Sequence, residues 1–423
     1  MVKETLYEGG TVLDGTGARL EKHGVMVRDG RIAELAPLDR FQGFAGFRVD
    51  FTGGTLLPGL VDCHVHLTMG GEGNPVAAQS AMTPGQITMA AFKHAQQALM
   101  SGITAVRDCG GKDYLELAVR DACNSGAQIG PSILCSGRVI CMTGGHGNRN
   151  GRIADGTDEV IKAVREQIHA GADLIKLMAT GGVMTPGVSP EDAHFSAEEM
   201  AAGVAEGKRF HKRSASHAQG SLGILNAVRA GVASIEHGIF MTDECLREML
   251  EAGTYLVPTL AAVRNIVANK ENGIPPHVVE KAMRVQERHI QSIKMFYDAG
   301  GKIAMGTDAG TPFNRHGENA LELRYMVEIG IAPMDAIVFS TRNGIDLMGL
   351  ENRGTVAEGM HADLLIVDGD PLADIERVAD RANHRMVIKN GVPARIKTDD
   401  AVHETRSPAD NVLRFTSAAN AAF

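Results

Sequence analysis

Between residues 58 and 345 the chain alternates two patterns eight times over. Short apolar, β-branched runs occur at 60–67, 103–109, 133–139, 173–178, 214–217, 233–237, 255–260 and 303–307. Helical patterns follow them at 88–100, 115–124, 157–170, 197–212, 222–230, 242–252, 278–299 and 321–329. Strict alternation over this length predicts parallel strands joined by crossover helices, and eight such units predict a (β/α)8 TIM barrel. The competing doubly wound sheet lacks its mark, because no GxGxxG follows the first strand. Four helices run into glycine just before the next strand, in HAGADLIK, RAGVASIEH, EAGTYLVP and DAGGKIAM. That is C-cap chemistry. It accounts for part of the excess of glycine, 50 of 423 residues, against roughly 7% in an average chain.

The flanks read differently. GGTVLDGTG (9–17) and GVMVRDGRIAEL (24–35) near one end, and GTVAEGMHADLLIVDGDP (354–371) and MVIKNGV (386–392) near the other, are short strands between turns. Neither set can bury a face alone. The expectation is an α/β chain whose barrel, 58–345, is inserted into a small β-sandwich domain made of 1–57 plus 346–400, with a C-terminal tail at 401–423. The segment 263–277 reads as a loop, with a lid over the barrel mouth as the alternative.

Composition excludes several classes. The 42 Lys and Arg against 51 Asp and Glu give a formal charge of −9, which argues against nucleic-acid or anionic membrane partners. No run approaches the roughly 18 apolar residues of a spanning helix. The start, MVKETLYEGG, lacks a secretory pattern, and the six cysteines form no CxxC pair. The expectation is a cytoplasmic protein with reduced, buried thiols.

The informative residues are polar ones inside the strand runs. His64 and His66 lie in LVDCHVHL, and i and i+2 on a strand share a face, so both imidazoles can reach one metal ion. Lys176 lies in ADLIKLMA, where a free ammonium is expensive to bury. It is either ion-paired or snorkelling, or it is a neutral amine that has captured CO2 as a carbamate. His217 ends RSASHA, His237 ends ASIEHG, and Asp308 ends the eighth run in GTDAG. Taken singly, each would be at home as a bonded polar residue. Together they place six metal-type ligands at the carboxyl ends of five barrel strands, where barrel enzymes gather their chemistry.

This pattern resembles the amidohydrolase superfamily. The HxH of strand 1, the lysine of strand 4, the histidines of strands 5 and 6 and the aspartate of strand 8 match its binuclear arrangement. GGTVLDGTG, LLPGLVDCHVHL and GTVAEGMHADLLIVDGDP match its flanking motifs. Within it, GGHGN (144–148), ATGGVMTPG (179–187) and GTDAGTP…HGEN (306–319) are similar to the imidazolonepropionase-related members, which include Xaa-Pro dipeptidases and hydrolases of N-acyl amino acids.

The resemblance implies a binuclear metal-dependent hydrolase of C–N bonds. His64, His66 and Asp308 would hold one divalent metal and His217 and His237 a second, with N-carboxylated Lys176 bridging. Zinc suits a histidine and carboxylate site without redox chemistry. Asp308 would be the general base for a metal-bridging hydroxide, and His146 would contact the substrate. Arg149 in the same loop has the fork that captures a carboxylate. Thr185, Asn314 and His316 are further candidate substrate contacts.

The implied substrates are small molecules, dipeptides or N-acyl amino acids cleaved in a carboxypeptidase-like way, including aromatic ones such as ochratoxin A. With 4% aromatic residues and 20 methionines, the walls around such a ligand would be aliphatic and methionine-rich. Opening of a cyclic amide, as imidazolonepropionase does, is the alternative. Deamination is disfavoured, because His217-Ala-Gln-Gly lacks the glutamate such enzymes place after this histidine. Relatives often assemble, so a homo-oligomer is expected.

Overall fold

Seven of the eight expected strands are regular in the computed structural model, which describes residues 4–397 and 412–414. They are strand 1 (Leu60–Val65), strand 2 (Ile103–Asp108), strand 3 (Ser132–Cys135), strand 4 (Leu174–Met178), strand 5 (Arg213–Ala218), strand 6 (Ser234–His237) and strand 7 (Tyr255–Val257). The eighth segment, 303–309, is extended but makes only isolated bridges, Leu256 with Ile303 and Val65 with Ala309. Parallel pairing joins strands 1 to 2, 2 to 3, 4 to 5, 5 to 6 and 6 to 7.

Scattered backbone bonds complete the ring. Asp173 N donates to Cys135 O at 2.8 Å, Ala304 N to Leu256 O at 3.1 Å, Cys63 N to Met305 O at 2.8 Å and Asp308 N to His64 O at 2.7 Å. The eighth segment departs from the expected regular strand because it must pass between strands 7 and 1 at close range. A Cβ on Gly306 would fall 2.3 Å from Val257 Cγ1 and 2.9 Å from His64 Cβ. Asp62 then pins the segment, accepting from Thr307 N at 3.1 Å, Thr307 Oγ1 at 2.6 Å and Asn319 Nδ2 at 2.7 Å. Strand 3 is shorter than expected and resumes as Ile140–Cys141 beside strand 4.

The helices lie close to their expected places, among them Leu115–Asn124, Thr157–Ala170 and Asp243–Ala252. Gly171, Gly231 and Gly253 cap three of them in the left-handed conformation. The fourth expected cap differs, since Ala299 closes that helix and Gly300 follows it with φ 76°. The segment 263–277 is not a loop throughout. Leu260–Ala268 is helical, and the long helix Pro276–Asp298 begins at its other end.

The two ends of the chain build two sheets. One runs 412–414, 47–50, 4–8, 23–28, 31–37, and the other 392–396, 384–389, 364–368, 54–58, 11–13, 19–20. The central strands of the second sheet are buried on both faces, and their alternation shows how. Leu56, Leu364, Ile366 and Ile388 join Tyr7, Val25 and Ile32 of the first sheet in one core. Their neighbours Leu57, Leu365, Val367 and Val387 join the barrel's outer core. Period-two alternation thus makes one sheet serve two cores. Of the expected tail, only Val412–Arg414 is described; it adds a parallel strand beside Phe47–Asp50, and the rest lies outside the described residues. All six cysteines are free and buried. Among the described residues no helix is long and apolar enough to cross a membrane.

Candidate metal centre

Strand ends and the loops after them bring five histidines, a lysine and an aspartate to one mouth of the barrel. His64 and His66 leave strand 1 on one face, and Asp308 Oδ1 lies 3.4 Å from His64 Nε2 and 3.1 Å from His66 Nε2. Lys176 Nζ lies 3.4 Å from His64 Nε2. Ring centroids step across the mouth: His66 to His64 5.4 Å, His64 to His237 5.3 Å, His237 to His217 4.6 Å and His217 to His146 4.5 Å. His237 and Asp308 both adopt positive φ, 75° and 62°. Non-glycine residues rarely do so, and such outliers cluster at functional sites.

Each of the four strand-borne histidines has one ring nitrogen committed to a fixed acceptor. His64 Nδ1 meets Glu236 Oε2 at 2.8 Å, and His66 Nδ1 meets Gly110 O at 2.9 Å. His217 Nε2 meets Gly181 O at 2.8 Å. His237 Nδ1 meets Thr259 Oγ1 at 2.6 Å, and that hydroxyl itself donates to Pro258 O. In a neutral imidazole the nitrogen opposite a donor is an acceptor. When neutral, His64, His217 and His237 therefore each keep one lone pair for another partner, whereas on His66 the second nitrogen faces Asp308 Oδ1.

Electrostatics disfavours the charged form of every one of these rings but His66. Burial and the neighbouring Lys176 push His64 well below the ordinary value. Burial with His146 does the same for His217. Burial takes His237 and His146 down to about 3. For Asp308 burial opposes the charged form, but His64 and His66 outweigh it and hold the carboxyl below the usual range. His66 is the exception: burial lowers it, but the bond to Asp308 and the charges of Asp308 and Asp108 together outweigh burial and raise it.

The donor set fits divalent metal. Neutral imidazoles with oriented lone pairs around an ionised carboxylate are ligand chemistry, and His64, His66 and Asp308 present ligand atoms close enough to share one ion. Lys176 is 1% exposed, and among the described residues the histidine nitrogen is its one hydrogen-bond partner. A buried ammonium with no anion against it is costly.

These residues floor a cavity of about 360 Å³. His146, Arg149 and Thr185 line it, with His146 Nδ1 2.9 Å from Thr185 Oγ1. Arg149 is exposed at the rim and makes no hydrogen bond or ion pair among the described residues. The apolar wall carries Met69, Met178, Met184, Val139, Val183 and Val263, and among the described residues no Phe or Tyr.

Asn314 and His316 do not reach the cavity. Asn314 Nδ2 donates to Thr307 O at 2.7 Å, and His316 Nε2 bonds His66 O and Met69 O. Both side chains turn inward and hold the backbone around Asp308 and His66. Sequence reasoning also missed Glu236, Arg107 and Thr259, which stand behind the histidines. The signal applied to Lys176, a charged residue in an apolar strand run, marks Arg107 in ITAVRD and Glu236 in SIEH equally well.

A model of the amidohydrolase family matches residues 55–394. The chain is 31% identical over 417 residues to ochratoxinase of Aspergillus niger, covering 88% of this chain and 83% of that one. Among solved structures it resembles a Xaa-Pro dipeptidase with methionine bound in its active site, at TM-score 0.86 and 34% identity over 92% of this chain and 99% of the other. It also resembles a prolidase complexed with N-methylphosphonate-L-proline, at TM-score 0.85 and 30% identity over 93% and 100%.

Proposed function

The chain belongs to the amidohydrolase family and is a hydrolase of C–N bonds; from that premise we propose that it cleaves dipeptides or N-acyl amino acids next to a free carboxylate. The observation that carries this reading is the histidine cluster, with every tautomer set by an outer partner, at the floor of a cavity whose rim holds an unpaired Arg149. The ligands named for two solved relatives, methionine and a proline phosphonate, are both amino-acid carboxylates, which supports the same class.

His64, His66 and Asp308 would hold one divalent metal, and His217 and His237 a second, with Lys176 as a carbamate between them. Zinc suits the donors. When bound, the metals supply an activated water and polarise the scissile carbonyl. Asp308, ionised at neutral pH, takes the proton of the attacking water and returns it to the leaving amine as the C–N bond breaks. His146, neutral and steadied at Nδ1 by the Thr185 hydroxyl, donates a hydrogen bond from its other ring nitrogen to the substrate carbonyl. Arg149 pairs with the terminal carboxylate through its fork. The valine and methionine wall receives an apolar acyl group, and methionine adapts its shape to bulky ones.

A panel of dipeptides and N-acyl amino acids, each paired with its C-terminal amide, tests the proposal. Losing a charged hydrogen-bond pair removes about 1.5–3 kcal/mol. The amidated partners are therefore expected to lose roughly 10- to 100-fold in kcat/KM, and Arg149→Gln to erase the difference. Equal rates on acids and amides with the parent chain would contradict carboxylate recognition.

A further inference from the structure

A buried ion pair crosses the barrel interior behind one histidine. Arg107 on strand 2 donates from Nη2 to Glu236 Oε1 at 2.8 Å, from Nε to Cys63 O at 2.5 Å and from Nη1 to Ser234 Oγ at 3.1 Å. Ser234 Oγ donates to the same Glu236 oxygen at 2.5 Å. The other oxygen, Oε2, receives His64 Nδ1 at 2.8 Å. Arg107, Ser234, Glu236 and His64 are each no more than 3% exposed.

Stability does not explain a charge pair at this depth. Packed apolar side chains of similar volume serve as well or better, because desolvation offsets the attraction. An apolar pair cannot, however, hold one imidazole nitrogen against a full negative charge. The arrangement is also unequal across the site. His66 leans on a carbonyl, His217 on a carbonyl and His237 on a hydroxyl, all neutral oxygens. Of these four histidines only His64 has a carboxylate behind it, and that carboxylate is anchored at its far side so that it cannot turn away.

We propose that Arg107 and Glu236 are positioning residues that fix the tautomer and orientation of His64, and so set the affinity of one of the two metal positions and not the other. The proposal rests on the reading of His64 as a metal ligand. Glu236 pulls on the Nδ1 proton, which makes Nε2 a better electron donor, as carboxylates behind ligating histidines do. Arg107 and Ser234 fix the carboxylate oxygen that His64 does not use.

Metal binding by the apo chain tests this without reference to activity. Zinc is titrated into the parent and variants in competition with a chromophoric chelator, and the thermal unfolding of each apo chain is recorded. Arg107→Met/Glu236→Gln removes both charges together, so neither is stranded. Glu236→Asp keeps the ion pair and draws the carboxylate back from His64 by one carbon. The parent is expected to take two equivalents. Both variants are expected to melt near the parent apo chain and to bind one equivalent as the parent does. The other equivalent should bind roughly 10- to 100-fold more weakly.

Two equivalents held as tightly as in the parent would overturn the proposal. So would equal weakening of both, which is the mark of a general structural role. Should the double variant not fold, Glu236→Asp decides alone by the same criterion. A parent chain that takes up no metal overturns the ligand reading, and this inference with it. A parent that binds two, beside a variant unchanged at both, overturns this inference alone.

Discussion

Gly182 and His146 touch so closely that a Cβ on the glycine would fall 2.6 Å from His146 Nε2. The strand 4 loop thus sets one side of the imidazole by having nothing there, while Thr185 of the same loop sets the other through Nδ1. Gly182→Ala is expected to push the ring off its position without touching the strand-borne histidines. Displacements of about 1 Å cost catalysis up to roughly 100-fold. Steady-state kinetics should show kcat down by about 10- to 100-fold, with metal content by elemental analysis unchanged. Full activity would remove His146 from the proposed reaction.

Lys281 clamps that same loop from the long helix. Its ammonium donates to Thr185 O at 2.7 Å, Val188 O at 2.6 Å and Gly182 O at 3.3 Å. Lys281→Met keeps the apolar stem and strips three carbonyls of their donor, at roughly 1–3 kcal/mol for a buried acceptor left unpaired. The loop carries cavity wall, including Met184 and Pro186. The expected kinetic signature is a rise in KM of about tenfold that exceeds any fall in kcat. An unchanged KM would show that the loop holds its place without the clamp.

Lys176 has a sharper test. Lys176→Ala removes the amine that would carry the carbamate, so turnover should fall by at least the roughly 10- to 100-fold seen when lesser partners of a metal site are lost. Acetate or propionate in the buffer should restore part of it, since either can occupy the vacated space as a carboxylate. Turnover equal to the parent's would eliminate the bridging role.

Glu116 offers a pH signature away from the metal ligands. It is fully buried, and among the described residues neither carboxyl oxygen has a hydrogen-bond partner. Burial, reinforced by Asp108, raises it from 4.5 to about 8. Its folded-state pKa lies above the unfolded one, so the folded chain holds the proton longer. The stability it contributes is complete below about pH 4.5 and is lost as the pH rises toward about 8, with a slope of about 1.4 kcal/mol per pH unit. Glu116→Gln cannot titrate. Denaturant melts at pH 5 and pH 8 should show the variant gaining on the parent as pH rises, and parallel curves would contradict it.

Much of the architecture was legible because helix and strand periods differ and because glycine punctuates them. The strand 1 histidines, Lys176, His217, His237 and Asp308 stood out as polar residues where apolar ones belong. Other features were hidden for physical reasons. The eighth strand's irregularity depends on how closely Gly306 lets strands 7 and 1 approach, which only three dimensions show. The inward turn of Asn314 and His316 depends on loop backbone direction, which residue type does not encode. Glu236 was readable but lay in the shadow of His237, its neighbour in sequence; the positive φ at His237 marks a turn of the chain there.

The central claim is that two metal ions, held by the strand-borne histidines, Asp308 and Lys176, perform amide hydrolysis. Its most direct test is to strip the chain with a chelator and follow hydrolysis of an N-acyl amino acid as zinc is returned in measured equivalents. Activity should be absent in the stripped chain and rise to a plateau at two equivalents per chain. A plateau at one equivalent, or full activity without metal, would contradict it.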